Sequence, residues 1–144
     1  MNRHKAIPEA HLILIRDQQI LLLQRQNTGF EDGNFSVVAG HIEAGETARS
    51  ATCREASEEA GLTIRESSLR LFHVVHKLAD QERIAFFFIC DAWSGEPVNR
   101  EPDKCSQLAW FPLATLPSNT VPYVRQAIRL GMNGAVYSES GWSL

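Results

Sequence analysis

Apolar residues in this chain gather in short, dense runs. Leu12-Ile13-Leu14-Ile15 and Ile20-Leu21-Leu22-Leu23 are continuous, as strands are when both of their faces are covered. Residues 8–16 and 19–24 therefore predict a hairpin of two well-buried strands, separated by Asp17-Gln18. Asn27-Thr28-Gly29 and Glu31-Asp32-Gly33-Asn34 supply turn chemistry before Phe35-Ser36-Val37-Val38, a short strand running into Gly40. This loop is a candidate substrate rim.

The pattern then changes period. Residues 47–60 contain no Pro or Gly, Ala recurs, and Gly61 stands where a helix commonly ends in a left-handed residue. A helix is predicted there. Residues 69–77 and 83–92 flank the polar tip 78–82 and predict a second antiparallel pair. A polar, Pro-containing connection over 93–103 leads to a strand at 106–111 that Pro112 closes. Val121, Val124, Ile128 and Leu130 fall near helical spacing, so a second helix is predicted over 121–130, ending at Gly131. The tail after Gly134 reads as weakly ordered, and no internal repeat is visible.

At 144 residues with 44% hydrophobic content, the chain suits one compact domain over 1–144, burying roughly two thirds of its unfolded surface. Its apolar runs fall well short of the about 20 residues that cross a bilayer, so no membrane partner is expected. The start, Met1-Asn2-Arg3-His4-Lys5, is basic, but Pro8, Glu9 and His11 follow where a secretory leader would be apolar. Cys53, Cys90 and Cys105 are odd in number and form no CxxC, so neither a disulfide framework nor a zinc site is suggested and a cytoplasmic setting is expected. A net charge of −3 without a block of Lys or Arg argues against a partner of long nucleic acid. An anionic substrate would have to be drawn by a local site or a bound cation.

The first predicted helix carries the candidate chemistry. Glu55, Glu58 and Glu59 stand at i, i+3 and i+4, so their carboxylates leave one side of it. Two of them lie in its last turns, where the helix dipole is already negative. A cation would relieve both strains. Ala48, Thr52, Cys53, Ala56 and Ala60 form the neighbouring arc, suited to packing on a sheet, with Arg49 as the misfit. Arg54, four residues before Glu58, is placed to orient a carboxylate through paired hydrogen bonds. By itself an acidic stripe is usually a solvated face.

The stripe has company: Gly40, five residues, Glu46, seven residues, then Arg54-Glu55-Ala56-Ser57-Glu58-Glu59-Ala60-Gly61-Leu62. Over 40–62 the chain resembles the Nudix box, GX5EX7REUXEEXGU with U apolar, and every fixed residue type matches. Chance agreement would come about once in 10⁸ to 10⁹ starting positions. Ala56 is a small occupant of its apolar slot. The resemblance implies an α/β fold, an α/β/α sandwich around a central mixed β-sheet. It also implies Mg²⁺-dependent hydrolysis of a phosphoanhydride bond in a nucleoside diphosphate linked to another moiety, with Mn²⁺ as the other suitable ion.

By the same resemblance Glu55, Glu58 and Glu59 bind metal, with the backbone carbonyl of Ala39 as a further ligand where many relatives have Gly. Arg54 and Glu46 orient the cluster. Glu55 is one candidate for the general base and Glu101, in the later loop, the other. Arg25 is a candidate phosphate contact, with a surface salt bridge as its alternative. Asn119 resembles a base-reading position, with turn formation as its alternative. His73 and His76 should point to opposite faces of their strand, one of them lining the pocket, with His76 taken as the substrate contact. His41 reads as a solvated loop residue. Trp93, Trp110 and Trp142 could stack on a base, although Trp110 beside Phe111 and Pro112 suits the core.

Two other readings stay open: a nucleotide-sensing module that does not cleave, which lost carboxylates would favour, and an RNA decapping enzyme, which needs a basic track. By the same resemblance relatives are often dimers, which leaves a homodimer open. The substrate class, among nucleoside triphosphates, ADP-ribose, nucleotide sugars and dinucleoside polyphosphates, is undecided by these motifs.

Overall fold

A computed structural model describes residues 2–143; Met1 of the basic start and Leu144 lie outside the described residues. In chain order the strands are β1 (Ile7–Ile13), β2 (Ile15–Arg16), β3 (Gln19–Arg25), β4 (Phe35–Ser36) and β5 (Ala39–His41), followed by the helix α1 (Ala48–Ala60). Then come β6 (Leu69–Leu78), β7 (Glu82–Cys90), β8 (Cys105–Pro112), α2 (Pro122–Met132) and β9 (Tyr137–Ser140). One mixed sheet runs β5-β1-β7-β6-β9, and β2, β3, β4 and β8 form an antiparallel sheet around β3.

Both faces are covered, which explains the unbroken apolar runs. Leu12, Leu14, Leu21, Leu23 and Phe88 pack with Ala56 and Ala60 of α1, while Ile13, Ile20, Leu22, Val75 and Phe87 pack with Val124, Ala127 and Ile128 of α2. Successive residues thus serve opposite cores. This is the layered α/β/α arrangement expected.

The first predicted hairpin needs correction. Only Ile15 and Arg16 pair with Ile20 and Gln19, across a turn in which Asp17 and Gln18 both take positive φ. Upstream of Leu14 the chain leaves for the other sheet, where β1 pairs in parallel with β7 over seven residues, Ile7↔Arg83 to Ile13↔Ile89. A long parallel partner outweighs a local one because it pairs one edge of β1 along its whole length while both its side-chain faces are buried. The strand expected at 35–38 is likewise divided. Phe35–Ser36 pairs with β3, and Ala39–His41 crosses over to pair with β1.

The tail is the other correction. Tyr137–Ser140 forms the edge strand β9, parallel to β6. Fully buried His73 holds it, donating from Nδ1 to the Ala135 carbonyl (2.7 Å) and meeting the Ser138 hydroxyl at Nε2 (2.8 Å). Burying an imidazole obliges both nitrogens to find partners, and the tail supplies them. A bulge at Phe72 lets that residue and His73 both face inward. Among the described residues no helix is long and apolar enough to cross a membrane.

Candidate functional site

The site begins with the ends of α1. Thr47 caps its start, accepting from the Ser50 N–H while the Ser50 hydroxyl accepts from the Thr47 N–H, and Gly61 ends it in the left-handed conformation at φ 64°. Fixing both ends fixes the direction in which the acidic residues leave the helix.

Arg54 organises those residues. Its Nε and Nη2 grip Glu46 Oε2 and Oε1 at 2.7 and 3.0 Å, a two-point fork. Its Nη1 reaches Glu55 Oε1 at 2.7 Å and Glu58 Oε2 at 3.2 Å, and Nη2 also donates to the His41 carbonyl at 3.0 Å. The paired hydrogen bonds from Arg54 hold the Glu46 carboxyl down at about 2, helped by the Glu43 N–H. The box residue Glu46 is therefore a fixed anion that aims Arg54.

Gly40 has a steric reason. A Cβ there would fall on the Glu55 carboxylate, 2.8 Å from Oε2 and closer still to Oε1. The carboxylate thus lies directly on the β5 backbone. Glu59 stands next to it, with Oε2 buried and without a hydrogen-bond partner. Burial first, then the hydrogen bond and charge of Glu55 and the charge of Glu101, push the Glu59 carboxyl up to about 11, against the pull of the Ala39 N–H. Burial and the adjoining carboxylate thus both disfavour the ionised form of Glu59 when no cation is there.

That orphaned oxygen is the test of whether a metal suits the site, and it does: a divalent cation would favour the ionised form and satisfy Glu59 Oε2, and the donors are all oxygens. Among the described residues no three acidic, His or Cys side chains are already drawn together around one point. Glu58 is the outlier, half exposed and held by Arg54.

These groups line a cleft of about 930 Å³. Glu101 joins them, with its carboxyl raised by burial and by the negative Glu55 and Glu58 despite Lys104. Arg25, Asn27, Thr28, Gly29 and Phe30 form the rim. Asp32 pins that loop by accepting from the Thr28 and Gly29 backbone N–H groups at 3.1 and 3.0 Å. Arg25 spends Nε on the Phe30 carbonyl (2.7 Å) and Nη2 on the Thr28 hydroxyl (3.0 Å), and lies over the Phe30 ring.

Two expected contacts are not brought to the cleft. Asn119 donates Nδ2 to the Gly33 carbonyl at 2.8 Å and accepts from the Phe35 N–H through its own carbonyl at 2.8 Å, so it braces the rim from behind. His76 faces the other way on β6, bonded to Glu82 at 2.9 Å and covered by Trp142, whose Nε1 donates to the His76 carbonyl. Trp93 and Trp110 stack on each other under Arg16, also away from the cleft.

Sequence reasoning missed the opposite wall. Glu9, His11, Lys77, Arg83 and Tyr123 all line it. Glu9 is tied to Lys77 Nζ at 3.0 Å and to Arg83 Nη1 at 2.9 Å. His11, 1% exposed, meets the Tyr123 hydroxyl at 2.7 Å and stacks on Phe87; burial drives its imidazole down to about 3, so it is neutral. The signal was present in strand parity: Lys77 shares the inward face of β6 with Val75, a place for an apolar residue unless charge is wanted there.

Residues 6–130 match the family model described as NUDIX domain. The chain is 34% identical over 109 residues to an ADP-ribose pyrophosphatase of Methanocaldococcus jannaschii, covering 73% of this chain and 61% of that protein. It is 34% identical over 105 residues to the NAD-capped RNA hydrolase NudC of Photobacterium profundum, covering 72% of this chain and 36% of that one. The chain thus spans only part of the length of these two relatives. Among solved structures, a MutT NUDIX hydrolase from Burkholderia pseudomallei superposes with a TM-score of 0.80 at 29% identity, covering 88% of this chain and 98% of that one. With Glu55, Glu58 and Glu59 lining one cleft and the family model spanning nearly the whole chain, this protein belongs to the Nudix hydrolase family.

Proposed function

We propose that the whole chain acts as one Nudix unit that hydrolyses the phosphoanhydride bond of a small nucleotide, a nucleoside diphosphate linked to another moiety, with Mg²⁺ or Mn²⁺. The observation that carries the reading is the Glu55–Glu59 pair, whose buried and unpartnered Glu59 Oε2 lies beside the β5 backbone in an open cleft. Glu55, Glu58 and Glu59 hold the metal with the Ala39 carbonyl, and Glu58 turns inward from Arg54 to do so. The bound ion supplies charge neutralisation on the phosphate oxygens.

Arg54 and Glu46 keep Glu55 oriented. Glu101 takes the proton of the attacking water. It has no ion pair among the described residues, unlike Glu55, and its raised carboxyl moves it toward the working pH. Arg25 at the rim contacts a terminal phosphate. The free, largely buried cysteines suit a reducing, cytoplasmic setting.

The test is product release from a panel of nucleoside triphosphates, ADP-ribose, nucleotide sugars and dinucleoside polyphosphates, with Mg²⁺ or Mn²⁺ present and then chelated. Metal-dependent turnover that Glu59→Gln abolishes, with the fold retained, is the expected result. Glu101→Gln should lower kcat more than KM and flatten the acid limb of the pH profile. Silence across the panel from folded protein would transfer the assignment to a nucleotide-sensing module.

A further inference from the structure

The missed wall of the cleft has an order of its own. His41, Glu9, Arg83 and Lys77 belong to β5, β1, β7 and β6, which are consecutive neighbours in the mixed sheet. Their contacts interlace across these strands: His41 Nε2 with Arg83 Nη1 at 3.2 Å, Arg83 with Glu9, and Glu9 with Lys77. With strands about 4.8 Å apart, the row extends roughly 14 Å from β5 across the sheet. It starts at the strand against which the Glu55 carboxylate lies and leads away from the acidic cluster.

Its buried charges do not cancel. Lys77 and Arg83 face one buried carboxylate, and Glu9 uses both of its oxygens on them. The remaining counter-charge is Asp80, in the β6–β7 tip. Its carboxylate is 70% exposed and meets Arg83 Nη2 at 3.2 Å. A pair with one partner so exposed is weaker and more easily exchanged than the buried pairs with Glu9. Lys77 is 6% exposed and lies 3.5 Å from the centroid of the Tyr123 ring. Its ammonium has three donors, and its contact with Glu9 Oε1 is an ion pair without hydrogen-bond geometry. Tyr123 gives one ring face to Lys77 and its hydroxyl to His11.

We propose that Lys77 and Arg83 form a subsite for a second anionic group, a carboxylate or phosphomonoester carried by the substrate beyond its scissile diphosphate, which displaces Asp80 from Arg83. This rests on the proposed hydrolysis, since the diphosphate held at the acidic cluster directs its substituent along the row. Glu9 is a positioning residue that keeps both cations aimed into the cleft. The preferred substrate is then a nucleotide conjugate with an acidic substituent, over the neutral conjugate of the same shape.

The experiment compares kcat/KM for pairs that differ in one anionic group of the substituent, UDP-glucuronate against UDP-glucose and ADP-ribose 1″-phosphate against ADP-ribose. A charge-assisted contact is worth about tenfold or more. The acidic member should lead by that factor, Lys77→Met should bring the ratio near one, and Asp80→Asn, a change at an exposed side chain, should widen it. Equal turnover of both members, or preference for the neutral one, overturns the subsite while leaving hydrolysis standing. If no pair is turned over, thermal protection by inorganic phosphate in metal-free buffer decides. Protection that Lys77→Met removes and Asp80→Asn strengthens upholds the subsite without the hydrolase reading, and protection indifferent to both changes overturns it.

Discussion

Replacing Gly40 by Ala tests whether the Glu55 carboxylate works from where it lies. The β5 backbone at Gly40 carries no strain that only glycine could bear, since its φ is not among the positive ones. The conflict is one of space. The new Cβ would sit 2.8 Å from Glu55 Oε2 and nearer to Oε1 and Cδ, whereas non-bonded heavy atoms rest about 3.5 Å apart, so the carboxylate must withdraw by roughly 1 Å. That shift breaks its 2.7 Å contact with Arg54 and moves a proposed metal ligand. Misplacement of this size in a reacting constellation costs about 10²-fold in rate. Stability should change by less than about 1 kcal/mol, because the group displaced is the mobile end of a side chain. The assay is kcat/KM with a Mg²⁺ titration, beside urea unfolding of the same preparation. A Gly40→Ala protein with wild-type kcat/KM and Mg²⁺ dependence would refute the argument that Glu55 acts against this backbone.

Three further outcomes are expected. Arg54→Lys keeps the charge but cannot fork onto Glu46 while reaching Glu55 and Glu58, so kcat should fall about 10- to 100-fold with little loss of stability; unchanged kcat would remove Arg54 from the positioning role. His11 is neutral and buried with its imidazole held down to about 3, so below its ordinary value of about 6.5 the unfolded chain takes a proton that the folded one refuses. Stability present above that value should drain away by up to about 1.4 kcal/mol per pH unit as pH falls toward 3. Urea midpoints from neutral to acid pH should slope less in His11→Phe, and parallel slopes would overturn the account. Gly131→Ala improves helix propensity yet drives a Cβ into the Phe72 ring, 2.7 Å from Cδ2, so it should destabilise by about 1–3 kcal/mol; a rise in the urea midpoint would show that the ring yields freely.

Features set by short-range geometry were legible in the residues themselves. Helical period alone puts Glu55, Glu58 and Glu59 on one side, the left-handed Gly61 ends α1 one residue beyond Ala60 as expected, and the tip at 78–82 joins β6 to β7. The nearness of Glu46 to Arg54 was legible too, because the box specifies both and arginine's fork matches a carboxylate. Partner choice over long range was not legible. That β1 abandons its neighbour for β7, that His73 recruits the tail as β9, and that Asn119 spends its amide on Gly33 all depend on which edges and buried polar groups elsewhere need partners. The Glu9–Lys77–Arg83 row is of the same kind, built from single residues on three strands that only the folded sheet makes neighbours. Backbone geometry dictates what lies within a turn or two of a residue, whereas the competition for burial and hydrogen bonds across the whole chain decides what meets it from afar.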